Sequence, residues 1–536
     1  MPIQNFDILG SLHGNYGTYT SDIHDALKHL ENAKGEAKRG EAGGKGVALW
    51  NEQRNLRRKI VLLRSLLSPI RRLPPELLGL IFSLVCVRSE IANLMEEQGE
   101  ELMDCPPIRL SQVCAGWREL AWTTPSLWSS FSIGSPADLT LQHKYDQIKG
   151  IVDLHLQLSQ QCPLSIHLCF LYGAYFESNC EILRLLMAHS SRWDVVSFTI
   201  DSEYLFEGHF APVRGRLPIL RSFEIFVSGG PLYSEISPES MVQDAFHIAP
   251  MLREVKITCV APLHIPLPIR QLNHLHISNT TLGAAFECLQ QATAVREITF
   301  SYRLPDDYVD DEEFQPTKLY PINLPTVDSL SLITEAANVV DVLQYMTLLG
   351  LTHLSIKAPY SREPFDYLAG PKDAIKEFFA RSQCTLTSLS LCTVHIPDTE
   401  LIALVQTQPS LTSLTIQERE PRKNKDHYIV LTQHFFHKMT VDPMNLQSTL
   451  LPNLKELDFR IYTGSFPMAS FIDMVRSRWI PDYKQTSAPE VDCLQSVNLR
   501  VFGVRVFEDR KQLEKDLQPL RELVGLKIIV IEEDNM

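Results

Sequence analysis

From Trp193 to Leu499 one frame returns eleven times: an apolar residue, two variable positions, an apolar residue, one variable position, and a third apolar residue. Its copies are Trp193/Val196/Phe198, Leu220/Phe223/Ile225, Leu252/Val255/Ile257, Leu272/Leu275/Ile277 and Val295/Ile298/Phe300. They continue as Val327/Leu330/Leu332, Leu351/Leu354/Ile356, Leu386/Leu389/Leu391, Leu411/Leu414/Ile416, Leu454/Leu457/Phe459 and Leu494/Val497/Leu499. Alternation of apolar and polar positions is the period of a strand with one buried face. Helical spacing then follows several copies, predicting return helices over Leu282–Gln290, Ala336–Leu348, Lys372–Ser382, Thr399–Gln406 and Ala469–Ser477. Each such unit leaves apolar faces that only its neighbour can cover, so the units must stack, with their strands parallel.

The frames start 20 to 43 residues apart. Such intervals bracket or exceed the period of roughly 20–29 residues found in leucine-rich repeats. The stretch from Leu391 to Leu401, with Asp398 inside it, resembles the cysteine-containing type. The asparagine expected after each strand is mostly absent, so the repeats are degenerate and an irregular solenoid is expected. Arg303–Pro321 and Glu418–Asp426 read as loop insertions.

Ahead of the repeats, Ser21 or Asp22 is placed to cap a helix through Ala33, and the glycines from Gly35 to Gly46 are expected to interrupt it. Helical spacing resumes at Val47, with Leu49, Leu56, Ile60, Leu63 and Leu67 on one face and Arg54, Arg57, Arg58, Lys59 and Arg64 around the others. Lys34 to Arg72 carries eleven Lys/Arg against three Glu, leaving the rest of the chain near −22. A basic amphipathic helix can meet a membrane or an acidic partner, but a solvated face on a helix docked to its neighbour is the favoured reading.

Ser68 to Phe131 is the most informative segment. Leu73-Pro74-Pro75-Glu76 marks a helix start, because proline is tolerated in the first turn. Leu77, Leu78, Ile81, Phe82 and Val85 form an apolar band too wide for one core-facing stripe. A second helix is expected to carry Leu110, Val113, Cys114, Trp117, Leu120 and Ala121, ended by Thr124-Pro125 and followed by Leu127-Trp128. Some sixty residues cannot bury this much apolar surface alone, so a partner chain or the neighbouring domain must cover part of it.

In order and spacing, Ser68 to Leu78, then Leu110-Ser111-Gln112-Val113-Cys114 with Trp117-Arg118, then Pro125-Ser126-Leu127-Trp128, resemble the F-box, in the version common among fungal F-box proteins. Ala115-Gly116 replaces the basic pair often found before the tryptophan, and Arg88 to Pro107, acidic through Glu96, Glu97, Glu100 and Glu101, lengthens the first connection. Neither departure removes an apolar anchor. The expected fold is therefore mixed α/β: short N-terminal helices (1–67), a three-helix F-box (68–131) and an irregular leucine-rich-repeat solenoid of parallel strands (132–536).

Composition narrows the partners. Hydrophobic residues make up 44% and charged residues 21%, an ordinary globular balance, and the net charge of −14 argues against nucleic acid. Met1 to Thr20 has no secretory pattern, and no apolar run approaches the roughly 18–20 residues that span a bilayer. The 11 cysteines contain no C-x-x-C pair, which suits reduced thiols in the cytoplasm or nucleus, where the sequon at Asn279 has no meaning.

Catalytic and metal motifs fail on spacing. Gly43-Gly44-Lys45-Gly46 lacks the first glycine and following Ser/Thr of a phosphate loop. Asp306, Asp307, Asp310, Asp311, Glu312 and Glu313 lack the alternation and central glycine of a calcium loop. His274 and His276 share a strand face, but His353 stands three repeats on, roughly 14 Å at about 4.8 Å per strand, too far for one zinc. His434 and His437 have no acidic or cysteine companion at ligand spacing. No cofactor, metal or catalytic group is expected, and the chain is read as a binding protein rather than an enzyme.

The F-box resemblance implies docking on the Skp adaptor of a Skp–cullin–F-box ubiquitin ligase, with a protein substrate held by the repeats. Under it, adaptor contacts fall to Leu73, Pro74, Leu77, Leu78, Ile81, Phe82, Leu110, Val113 and Trp117, although internal packing accounts for part of this set. The substrate face falls on the variable positions inside the frames, with Lys256, His274, His276, His353, Ser388, Ser390, Ser413 and Thr415 as candidates. An interaction scaffold without ligase activity stays open on composition alone.

Overall fold

The alternation translates directly into strands: every apolar frame residue is buried except Ile257, which is half-buried. The computed structural model describes residues 20–41, 47–91, 104–134, 142–171, 176–201, 204, 209–228, 244–259, 266–278, 282–302, 319–334, 336–358, 371–394, 396–418, 430–442, 444, 449–462, 466–479, 491–502, 515–523 and 526–533. They fall into two units, Met1–Met251 and Leu252–Met536.

In the first unit, α1 (Thr20–Glu41) and α2 (Val47–Leu66) pair through Leu30, Ala33 and Leu63, with Ile60 and Leu67 alongside. The break expected at Gly35 does not occur. Gly35 and Gly40 both lie in this helix, and each costs only about 1 kcal/mol relative to alanine, which the paired apolar face offsets. Arg54, Arg57, Arg58, Lys59 and Arg64 stand exposed on α2.

A 3₁₀ turn at Pro69–Arg72 leads into α3 (Pro75–Val85), whose Pro75 occupies the first turn, where no amide partner is needed. After β1 (Ser89–Ile91), the single helix expected over Leu110–Ala121 is instead two, α4 (Pro106–Ser111) and α5 (Ala115–Trp122). Cys114 causes the break: it is extended (φ −160°, ψ 171°) and its Sγ accepts the Trp117 amide at 3.4 Å, so it caps α5. That cap sets Gly116 in the first turn of α5, near a helix end rather than mid-helix.

A 3₁₀ turn at Pro125–Trp128 is followed by β2 (Ser130–Gly134), α6 (Gln142–Leu158), β3 (Leu164–Phe170), α7 (Phe176–Ala188), β4 (Trp193–Asp201) and β5 (Ser222–Ser228). The five strands pair in parallel in chain order. The register of β1 places Ser89 opposite Phe131, so a hydroxyl occupies a core position. His155 of α6, fully buried, satisfies it. Its Nδ1 donates to the Ile151 carbonyl at 2.9 Å, leaving Nε2 to accept the Ser89 hydroxyl at 3.0 Å. Burial holds the imidazole neutral, its pKa pushed down to about 4. Trp128 and Phe131 pack edge-on to the same ring at 5.1 and 5.4 Å.

The second unit holds β6 (Glu254–Cys259), β7 (His274–Ser278), α8 (Leu282–Gln291), β8 (Glu297–Tyr302), β9 (Ile322–Asn323), β10 (Ser329–Thr334) and α9 (Ala336–Tyr345). These are followed by β11 (Met346–Thr347), β12 (His353–Lys357), α10 (Pro371–Ser382), β13 (Ser388–Cys392), α11 (Asp398–Gln406), β14 (Ser413–Gln417) and α12 (Gln433–Met439). The series closes with β15 (Glu456–Tyr462), α13 (Met468–Arg478), β16 (Ser496–Phe502) and β17 (Lys527–Glu533). β9 and β11 pair with each other, and Gly350 permits the chain to pass there, since a Cβ would sit 2.6 Å from the Pro325 carbonyl. The other ten strands form one parallel succession without a register shift.

A backbone ladder holds that register. The residue after each leading apolar position (Arg253, Asn273, Arg296, Asp328, Thr352, Thr387, Thr412 and Lys455) offers its carbonyl to two successive amides of the next strand, at 2.7–3.1 Å. Thr352, Thr387 and Thr412 add their hydroxyls to the preceding carbonyl in the ladder at 3.0–3.2 Å. Among the described residues between β6 and β7, the return side holds a 3₁₀ turn at Ile269–Gln271, where other returns carry α-helices.

Arginines clasp the helix ends. Arg381, in the last turn of α10, donates to the carbonyls of Leu343 and Met346 at the end of α9. Arg478, fully buried at the end of α13, donates to the carbonyls of Met439, Leu450 and Leu451. In the first unit, Arg192 donates to the carbonyls of Leu156, in the last turn of α6, and of Cys162 beyond it. Each supplies donors to carbonyls that a helix terminus leaves over.

Candidate functional site

Two surfaces stand out, one apolar and helical, the other polar and stranded. In the first, α3 turns Leu78 and Phe82 into a core shared with Cys86, Ala121, Leu127 and Trp128. Phe82 meets Trp117 edge-on at 5.0 Å, and Trp128 Nε1 donates to the Ala121 carbonyl at 2.7 Å. Leu154 and Leu158 of α6 pack against that core, so the helices of this segment do not close on themselves.

The opposite side of α3 is also apolar and uncovered. Leu77 is 49% exposed, Leu80 63%, Ile81 39%, Leu84 79% and, just past the helix, Val87 73%. Leu77, the adjacent pair Leu80/Ile81, and Leu84 are three or four residues apart and form a continuous stripe along the helix, with Val87 just beyond its end. Of the nine residues singled out from the sequence, Pro74, Leu77, Ile81 and Val113 are exposed, and Leu73, Leu110 and Trp117 are half-buried. Leu78 and Phe82 are buried and support the stripe from behind. Leu80, Leu84 and Val87 were missed. Continuing the helical spacing of Leu77 and Ile81 by one turn would have found Leu84.

The second surface is the outward face of the parallel strands in the second unit. Register aligns Glu254, His274, Glu297, Ser329, His353, Ser388, Ser413, Glu456, Ser496 and Lys527 in one row. Lys256, His276, Thr299, Ser331, Ser355, Ser390, Thr415, Asp458 and Asn498 form the next. The eight candidates from the sequence thus all lie on two neighbouring rows, half-buried apart from the exposed His274 and His353. His274 Nδ1 lies 2.9 Å from Glu297 Oε2, His276 Nε2 2.5 Å from Ser278 Oγ, and His353 Nδ1 2.7 Å from Thr352 Oγ1. A third row, Gln417, Arg460 and Arg500, brings guanidinium groups that the sequence reading passed over.

Among the described residues, no group of three or more His, Cys, Asp or Glu is placed to hold a metal ion, and no helix is long and apolar enough to cross a membrane. Burial pushes the Cys86 and Cys105 thiols up to about 11, which leaves them poor nucleophiles at neutral pH. The glycine run Gly43–Gly46, the acidic stretches at Glu96–Glu101 and Asp306–Glu313, the sequon at Asn279 and most of both insertions lie outside the described residues. No family model matches the chain, and no curated protein matches it.

Proposed function

We propose that this chain is the substrate-recruiting F-box subunit of a Skp–cullin–F-box ubiquitin ligase, working in the cytoplasm or nucleus. Residues 68–131 dock on the Skp adaptor, and the leucine-rich-repeat strands hold a protein substrate. The exposed stripe Leu77–Leu80–Ile81–Leu84, extended past the helix by Val87, carries this reading, because it is an exposed apolar face on the segment whose motifs resemble the F-box. Burying what these side chains leave in water contributes roughly 1 kcal/mol or more each, enough to hold a partner. The chain itself breaks no bond. It raises the effective concentration of its cargo near a ubiquitin carried by other subunits.

Exposed positions give the cleanest test, since Leu73 is half-buried and its loss would mix packing with contact. Leu80→Glu with Leu84→Glu in the full chain is expected to abolish co-purification with the Skp adaptor and cullin. Stability should move by no more than about 0.5 kcal/mol, the usual range for surface substitutions. Undiminished adaptor capture by the folded double variant overturns the assignment. Capture of the adaptor by the wild-type chain without cullin or ubiquitin conjugates assigns an interaction scaffold instead.

A further inference from the structure

Among the described residues, β17 is hydrogen-bonded on one side only, to β16. Its Lys527 amide donates to the Gln495 carbonyl at 3.0 Å. In a parallel pair, residues whose amide and carbonyl face the neighbour alternate with residues whose groups face away. Lys527, Ile529, Ile531 and Glu533 therefore bond toward β16, and the backbone groups of Ile528, Val530 and Glu532 point to the open edge. Proteins commonly guard such an edge with a proline, a bulge or a mid-strand charge. β17 has none of these from Ile528 to Ile531, four consecutive β-branched residues paired to β16 without a register shift. Ile529 is 38% exposed. Lys527 is exposed as well, and no described residue forms an ion pair with it.

We propose that β17 pairs antiparallel with β17 of a second copy of this chain, so that two second-unit sheets become one. The strand is complementary to itself. A two-fold axis normal to the sheet at Val530 sets Val530 opposite Val530, Ile529 opposite Ile531, Ile528 opposite Glu532 and Lys527 opposite Glu533. Backbone and sequence agree on this register. The edge-facing residues Ile528, Val530 and Glu532 meet one another, so each such pair can exchange both of its hydrogen bonds. Lys527 and Glu533 meet twice, once at each end, as opposite charges. On β16 their neighbours are Ser496 and Phe502, and Arg500 stands beside Ile531, so no like charge adjoins either position in its row. Facing residues of an antiparallel pair share one side of a sheet. Ile528 and Val530 hold the register of the buried Val497 and Leu499, so the inner rows of the two copies run on without a break. A slip of two residues sets Lys527 opposite Ile531 or Glu533 opposite Ile529 and loses both charge pairs. Glu532 against Ile528 is the one mismatch. A single seven-residue edge falls short of the roughly 1,200–2,000 Å² of a standard interface, so the association is weak and concentration-dependent. It goes beyond the F-box reading, since no residue of 68–131 takes part.

Sedimentation equilibrium of the full chain tests this over about 1 to 200 µM, where weak association is resolved. The mass is expected to rise toward twice that of one chain. Val530→Pro removes a donor from the centre of the open edge and none from the bonds to β16, and an edge strand accepts proline with that orientation. This variant should stay monomeric, with a thermal midpoint close to wild type. Lys527→Glu and Glu533→Lys each set like charges opposite one another at both ends, and each should weaken association at least about tenfold. An equimolar mixture of these two variants brings opposite charges together again and should associate as the wild type does, a result that does not depend on how the fold takes the proline. A wild-type chain that is monomeric throughout the range overturns the proposal. So does a dimer that survives Val530→Pro, or a mixture that associates no better than either charge variant alone.

Discussion

α3 and the repeat strands place apolar side chains by opposite rules. α3 is apolar on two sides, with Phe82 buried and Leu84 79% exposed two residues later. In β12–β16 the frame's apolar residues keep to the inner side, and the outward positions are mostly polar or charged, with Cys392, Tyr462 and Phe502 as exceptions. A strand array that grows by adding neighbours satisfies its own inner face, so its frame residues leave little apolar surface in the open. A short helical segment without such neighbours holds its surplus in the open. The difference separates a surface with exposed apolar side chains from one that is mostly polar.

The sharpest way to break that contrast is to remove one side of α3. Phe82→Ala should cost about 3–5 kcal/mol, as for other buried phenylalanines, read as a lower denaturant midpoint for the first unit. A cost near that of an exposed leucine would mean that the two sides of α3 are not distinct.

His155 offers the next largest effect. Its folded pKa, about 4, lies below the value of about 6.5 expected when unfolded, so the unfolded chain binds the extra proton first. Stability should be complete above about pH 6.5 and fall by about 3 kcal/mol as the pH drops toward 4. His155→Gln should flatten that part of the pH profile, measured by chemical denaturation, and a slope identical to wild type would sink the account.

A smaller change sharpens the stranded side. Burial holds the Arg478 guanidinium down to about 10, still cationic at neutral pH. Arg478→Met strands three carbonyls but also removes a buried charge, so a net loss of about 2 kcal/mol is expected. Thermal unfolding of the second unit reports it, and an unchanged or raised midpoint would show that the clasp contributes nothing.

The inner face of the array was legible because alternation is a local signal. Where the frame's chemistry is interrupted, the strand was missed: Pro163 stands at the leading position of β3, Gly525 at that of β17, and Ser89 at the second position of β1. Trp128/Phe131/Ile133 obeys the frame, yet its tryptophan also matched a helical motif, and the strand beyond it went unread. The arginine clasps and the bonds Arg460–Gln417 and Asn498–Asp458 could not be read in advance, since each joins residues 27 to 43 positions apart. Likewise, helical spacing showed that α3 had too much apolar surface, but only tertiary packing told which half was spare.

Trp128 has a mechanical consequence. Its indole fills the helical core and grips the Ala121 carbonyl, while two residues later its backbone becomes β2. Any pull on α3 therefore passes within a few bonds into the hydrogen-bonded strands of the first unit, with no slack linker to absorb it. The helix and the adjoining strands of the first unit move together, like a handle forged in one piece with its blade.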